Sequence, residues 1–431
     1  MLLVYRGILE LGGGSTESLR IAAAVVAMLM VVATVILAVR ITGTIEAIAA
    51  GLLLATFAAS PFIESFTLSG ELLAAFPAVL SLLAFTVYLE RRRTAWLVAA
   101  GLLTGCALMI KQSGLDAGLA VVAFLLLTER RRAATVSTFV LSALVPVAIA
   151  VLTAPHFHEW WDAVVAYRAD GDSLLTGSPL HRFELFASSF PAAAKGLGVL
   201  ALLAAMGWRS SPLLLRLWLG AAVVGVLGGG NFHSHYYVQL AAPLSILAGV
   251  GVRQLLVERR RVAAAACGAA ALVTLALTAP LWFAGGQAQA KEIWPKDGRL
   301  VHSEAIASYV RAHTTPHQEI FVLWAGAEIY YLADRQPALP YMWYRNVESI
   351  DGALFSARRM LAERLPALVV LSQSPNKIDQ TGVTARILER NYRLARFVEG
   401  VAILEARPLP PQGAGDTAAR ELRMRAWRKT R

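Results

Sequence analysis

The sequence predicts a mainly α membrane protein of about ten transmembrane helices, followed by a C-terminal extracytoplasmic α/β domain. Two observations carry the membrane part. Of the 431 residues 57% are hydrophobic and only 16% charged, where soluble domains carry about a quarter charged, and the charge is clumped between long apolar runs. The arginines also cluster in short loops between those runs, as cytoplasmic membrane loops do. A third observation carries the C-terminal part. From about residue 291 the composition becomes that of a soluble domain, with helical stretches alternating with short apolar strands.

Residues 1–19 read as an outer segment. Leu2–Leu11 has the pattern of an interfacial helix, and Gly12-Gly-Gly14 turns the chain into the first span. Runs of spanning length follow at about 20–40, 44–62, 71–89, 95–110, 113–128, 134–154, 190–207, 212–228, 236–257 and 262–284. They are rich in Ala and Gly, which lets helices approach closely. Arg91–Arg93, Arg130–Arg132, Arg209 with Arg216, and Arg259–Arg261 occupy alternate loops and place those loops in the cytoplasm. The loops 63–70, 111–114, 155–189 and 229–235 then face outward, with everything after 285. In this orientation the first span runs from outside to inside, and residues 1–19 carry no secretory signal. A chain missing its first helix is the expectation. Within 155–189, Pro155–Arg168 reads as an in-plane interfacial helix, followed by a polar stretch with Asp170, Asp172, His181 and Arg182.

The soluble part, 291–408, reads as helix (302–313), buried strand (319–324), helix (351–365), buried strand (366–371), helix (386–392) and a closing hairpin (392–404). Residues 409–431 read as a basic disordered tail. The net charge of +11 lies in the membrane loops rather than on a nucleic-acid face, so nucleic acid is excluded as a partner. Cys106 and Cys267 lie inside apolar runs and read as packing residues, with no disulfide or metal framework.

The residues that offer chemistry fall on the outer side. Glu64 and Glu71 share one loop. Either reads as a general base or as a stabiliser of a cationic sugar transition state; the alternatives are a solvated charge at Glu64 and a helix-dipole partner at Glu71. Lys111 interrupts apolar sequence on both sides, next to Gln112 and Ser113, and suits a phosphate clamp; snorkelling to headgroups is the alternative. His233 and His235 precede Tyr236 and Tyr237, an aromatic pair at the head of a span, which sets both histidines where bilayer meets water and within reach of a lipid phosphate. The pair is too closely spaced for zinc on one helical face, and a divalent cation would need acids from other loops to converge on it. Arg182 is a further candidate cation. No phosphate loop, dinucleotide fingerprint, serine-hydrolase elbow or HExxH motif is present, so a donor would arrive in the membrane.

Several of these features together resemble the integral-membrane glycosyltransferases of the C-type fold, which include protein O-mannosyltransferases and aminoarabinose transferases. The matching segments are Gly101-Leu-Leu-Thr-Gly105-Cys-Ala107 leading to Lys111, His235-Tyr-Tyr237 leading to Pro243, Ser69-Gly-Glu71-Leu-Leu, and the domain at 291–408. The resemblance implies transfer of a sugar from a polyprenyl-phosphate carrier to a protein, lipid or cell-envelope glycan acceptor, on the outer face of the cytoplasmic membrane. It implies that Lys111 and His235 bind the carrier phosphate, with Arg182 or His233 assisting and Tyr236 beside them, and that Glu71 sits near the sugar. The family's principal catalytic Asp lies in a first outer loop after an N-terminal helix. Glu10 and Glu17 are the acids before the first span, and neither matches that motif. A start placed too late, or an inactive relative that binds lipid-linked sugar, follows from this departure. A transporter or flippase is the competing class, but its polar groups would sit at the midplane of paired repeats, and no repeat is seen. The Ala/Arg/Gly-rich composition points to a bacterial source with GC-rich DNA.

Overall fold

The computed structural model describes residues 2–57, 60–130, 132–154, 157–161, 178–258, 260–293, 298–324 and 326–408. The chain divides into two compact units, Met1–Gln289 and Ala290–Arg431. The first is helical. A short helix α1 (Leu2–Leu11) precedes α2 (Thr16–Ile41), α3 (Thr44–Phe57), α4 (Gly70–Arg91), α5 (Thr94–Ile110), α6 (Asp116–Thr128) and α7 (Arg132–Thr153). Then come α8 (Phe157–Trp161), α9 (Pro179–Gly207), α10 (Leu213–Gly228), α11 (Val238–Val257), α12 (Arg261–Trp282) and α13 (Gly286–Ile293). Among the described residues α2, α4, α7, α9, α11 and α12 are long and apolar enough to cross a membrane, and α3, α5, α6 and α10 are shorter apolar helices. Each apolar run read from the sequence has its helix, and the chain is a multi-pass membrane protein.

Two boundaries differ from the sequence reading. The second run does not continue as helix to 62: α3 is described to Phe57, and Pro61–Ile63 form a 3-10 turn capped by Ser60, whose Oγ accepts from the Phe62 N–H. The helix read as starting at 190 starts at Pro179 instead. Ser178 caps it by accepting from the His181 N–H, and Pro179 occupies the first turn, where its missing N–H costs nothing. That signal outweighs the polar residues His181 and Arg182, which suggested a loop. Of the interfacial helix read at 155–168, Phe157–Trp161 is helical, and 162–177 lies outside the described residues, as do Asp170, Asp172 and the tail after 408.

Glycine sets the closest helix approaches. A Cβ on Gly105 of α5 would lie 2.2 Å from the Ala143 carbonyl oxygen of α7, and one on Gly251 of α11 would lie 2.0 Å from the Leu203 carbonyl oxygen of α9. Backbones this close gain packing that a larger residue would forbid. Between α4 and α5, the buried Ser81 hydroxyl donates to the Ala100 carbonyl at 2.8 Å and lies 2.8 Å from the Thr104 hydroxyl. One end of the bundle is tied by arginines. Arg40 bonds Glu90 at 2.7 Å, Arg92 bonds Glu129, and Arg253 bonds the buried Glu46 at 2.7 Å.

The second unit contains a four-stranded sheet in the order β1 (Ile320–Leu323), β2 (Leu368–Leu371), β4 (Val401–Ala406), β3 (Tyr392–Val398). β1 and β2 are parallel with Ile320 opposite Leu368; β4 runs antiparallel to both β2 and β3. Side chains are buried on both faces of the parallel pair, which is why β1 and β2 are apolar throughout. Phe321, Leu323 and Val369 face one core; Ile320, Val322, Leu368 and Val370 face the other. The helices are α14 (Gly298–Ala312), α15 (Ala327–Ala333), α16 (Tyr344–Ser349), α17 (Ala353–Ala362) and α18 (Val383–Asn391). The sequence reading had α14, α17 and α18, the strands and the hairpin, but neither α15 nor α16.

Candidate functional site

Three connections of the helical unit meet at one place. The first is the stretch between α3 and α4. Ser60 caps the Pro61–Ile63 turn, the Ser65 hydroxyl donates to the Ser60 carbonyl at 3.2 Å, and the Thr67 hydroxyl donates to the Glu64 carbonyl at 2.7 Å. Glu64 ends the turn in the left-handed region, φ 54°, a conformation that costs energy outside glycine. Ser69 then caps α4 by accepting from the Leu72 N–H, which fixes Glu71 in the first turn, nearly fully buried. The helix dipole favours a carboxylate there, but it is one part of the account. Lys111, where α5 ends in an extended residue, donates from Nζ to Glu71 Oε1.

The third connection is Gly229–Tyr237. His235 lies between the two carboxylates, with Nδ1 at 3.1 Å from Glu64 Oε2 and Nε2 at 3.7 Å from Glu71 Oε1. The His233 ring stacks on it at 5.5 Å and 10°, and Tyr236 meets both rings edge-on. The face of Tyr236 receives the Lys111 ammonium, 4.5 Å from the ring centroid. Behind this group, the Tyr237 and Ser189 hydroxyls lie 2.7 Å apart, and Phe232 packs edge-on against Phe186 of α9.

The structure thus brings together Glu64, Glu71, Lys111, His233, His235 and Tyr236, residues far apart in sequence. Arg182 is placed in the first turn of α9, about 10 Å of helix before Ser189. Two further side chains belong to the surroundings, and the sequence reading singled out neither. Tyr5 of α1 donates its hydroxyl to the Leu68 carbonyl; burial and then the nearby Glu71 charge push its phenol up from 10.0. Asp116, fully buried just past the Lys111 turn, accepts from the Ala117 N–H at 2.6 Å and from the Trp218 indole N–H at 3.3 Å. An acid inside an apolar run was its visible signal. Tyr5 had no such signal, since it resembles any interfacial tyrosine.

The chemistry available is a cationic ammonium and an imidazole facing two carboxylates, at one end of a membrane bundle. Such a group can bind an oxyanion through Lys111 and His235 and take a proton through a carboxylate. Among the described residues, no group of three or more His, Cys, Asp or Glu is arranged to hold a metal ion.

Comparison with known proteins bears on the fold and on the N-terminal third. Residues 1–158 match the family described as dolichyl-phosphate-mannose-protein mannosyltransferase. No curated protein matches the chain by sequence. Among solved structures, ArnT from Cupriavidus metallidurans bound to undecaprenyl phosphate is similar at a TM-score of 0.61 and 16% identity, over 94% of this chain and 87% of that one. The archaeal oligosaccharyltransferase AglB from Archaeoglobus fulgidus, in complex with an inhibitory peptide and a dolichol-phosphate, is similar at 0.50 and 18% identity, over 85% and 60%. The chain has the C-type fold of the integral-membrane glycosyltransferases and, over its first 158 residues, resembles the dolichyl-phosphate-mannose-protein mannosyltransferases.

Proposed function

We propose that the protein transfers a sugar from a polyprenyl-phosphate-linked donor to an acceptor hydroxyl on the outer face of the cytoplasmic membrane, with residues 291–408 as an extracytoplasmic domain. The observation that carries this reading is the convergence of Lys111, His235 and two carboxylates from three separate connections. The family match and the C-type fold support the same class of donor.

Lys111 and His235 hold the phosphate, with His233 and Tyr236 fixing the His235 ring and the ammonium. A carboxylate, Glu71 or Glu64, accepts the proton of the acceptor hydroxyl. The hydroxyl oxygen forms its bond to the anomeric carbon on the face opposite the phosphate. The anomeric carbon–oxygen bond breaks, its electron pair stays on the phosphate, and the anomeric centre inverts. The cations stabilise the charge that grows on the leaving phosphate, an effect typically of about 10²–10³ in rate per well-placed group.

The test is release of labelled sugar from polyprenyl-phosphate donors by membranes containing the protein. Lys111→Ala is expected to lower transfer by roughly 10²-fold or more, and His235→Ala by more than His233→Ala. Undiminished transfer by both Lys111→Ala and Glu71→Ala would sink the reading.

A further inference from the structure

Lys195 is a charge in the middle of a membrane helix that the cluster does not use. It is the seventeenth residue of α9, counting from Pro179, within the apolar sequence Pro191-Ala-Ala-Ala-Lys-Gly-Leu-Gly-Val-Leu200. Ser189, level with Tyr237 of the site, lies six residues earlier, so Lys195 is about 9 Å further along the helix. The side chain is exposed on the surface of the bundle. Its ammonium lies 5.2 Å from the centroid of the Phe62 ring. No described carboxylate forms an ion pair with it.

The placement is built on both sides. Phe62 sits in the turn that Ser60 and Pro61 fix, two residues before Glu64. The next residue of α9, Gly196, lies flush against that turn; a Cβ there would come within 2.8 Å of Ile63 Cγ2. Helix and turn therefore pack closely just beside Lys195. An ammonium in a span with no carboxylate partner among the described residues is costly, and such residues mark functional pathways or snorkel to the interface. A phenyl face compensates in part, leaving the outward side of the ammonium for an anion. On the exposed surface of an apolar bundle, beside the connection that carries Glu64, the anion that fits such an ammonium is a phosphate ester carried on lipid chains.

We propose that Lys195 and Phe62 form a second phosphate-binding position, for the headgroup of a membrane lipid, on the outside of the bundle and distinct from the Lys111 cluster. Two sources share this chemistry, the polyprenyl phosphate itself and an anionic phospholipid. The first would make Lys195 a capture point beside the donor site, an outcome that rests on the function proposed above; the second would not.

Lipid retention by the purified full-length protein, followed by native mass spectrometry, separates them. The probes are polyprenyl monophosphate, phosphatidylglycerol and, as a phosphate-free control, diacylglycerol. Lys195→Leu should weaken retention of phosphate lipids roughly five- to tenfold, with diacylglycerol unchanged, and Lys195→Arg should restore it. Lys195→Leu is compatible with a lipid-facing site, and its melting temperature should equal the wild type. A loss confined to polyprenyl phosphate identifies the capture point, and a loss of both lipids identifies a general headgroup site. Retention of both phosphate lipids by Lys195→Leu as in the wild type overturns the proposal, as does a loss that Arg does not restore. The transfer reading fails separately, in the sugar-release assay of Lys111→Ala, which leaves Lys195 intact.

Discussion

The contact between Glu71 and Lys111 is where a single side chain should matter most to stability. Glu71 is buried and its partner mostly so. Removing one member of a buried pair leaves the other desolvated and uncompensated, at a cost of roughly 3–5 kcal/mol. Lys111→Ala and Glu71→Ala should each lower the melting temperature, and the double variant should lose less than the sum. Strictly additive losses in that cycle would show that the contact carries no coupling. At this scale the sequence was informative in the outer loops, where Glu64 and Glu71 stood out as two acids of one loop, Lys111 as a charge breaking apolar sequence, and His235 by its place ahead of an aromatic pair. Their mutual distances were not legible, because His235 meets Glu64 across 171 residues of chain and no local pattern reports that. Tyr5 was hidden for the same reason, its partner Leu68 being 63 residues away.

Among the elements, α5 and α9 show what periodicity reads well and what it reads badly. The Ala and Gly richness of the runs announced close helix contacts, and Gly101 and Gly105 of α5 make one with α7. Gly105→Ala should therefore destabilise the protein by about 1–3 kcal/mol through overpacking, seen as a fall in melting temperature. The same change at Gly198, where a Cβ meets nothing within 4 Å, should be close to neutral. The start of α9 differs from the sequence reading because hydropathy weighs His181 and Arg182 as loop, whereas the Ser178-Pro179 cap is a local signal that hydropathy ignores. In the C-terminal unit, Asp379 joins α17 to α18. Burial alone would raise its carboxyl, but Arg358, Thr381 and Thr384 donate to it and hold it well below its ordinary 3.8. A carboxyl depressed in the folded state contributes stability above its unfolded value and loses it as pH falls further. Protection of the Thr384 amide hydrogen, which bonds Asp379 at 2.6 Å, relative to its intrinsic exchange rate should begin to fall below about pH 4 in the wild type. Asp379→Asn should exchange faster at neutral pH and lose that acid dependence.

At the scale of the molecule, the bundle has two chemically different ends. Arg40, Arg92 and Arg253 bind carboxylates at one, and the Glu64–Glu71–Lys111–His235 group occupies the connections at the other. The ten apolar runs and the soluble sheet were legible because burial in lipid and burial in a two-sided sheet both leave long apolar signatures. By the arginine rule, the first end is the one proposed to be cytoplasmic. With Cys106 and Cys267 replaced by Ala, Ser234→Cys should react with a membrane-impermeant maleimide in intact cells, and Arg130→Cys only after lysis. The reverse pattern would invert the orientation and with it the side on which transfer is proposed.

Glu71 and Lys111 also neutralise one another before any donor arrives. A phosphate that takes hold of the ammonium takes it from the carboxylate, so docking is an exchange of counter-ions rather than an addition. On the proposed function, the base is muzzled in the idle protein and released by the donor itself, which keeps stray water from being activated in between. Affinity and turnover then pull against each other. Glu71→Gln should hold polyprenyl phosphate more tightly, by roughly tenfold, while transferring its sugar more slowly.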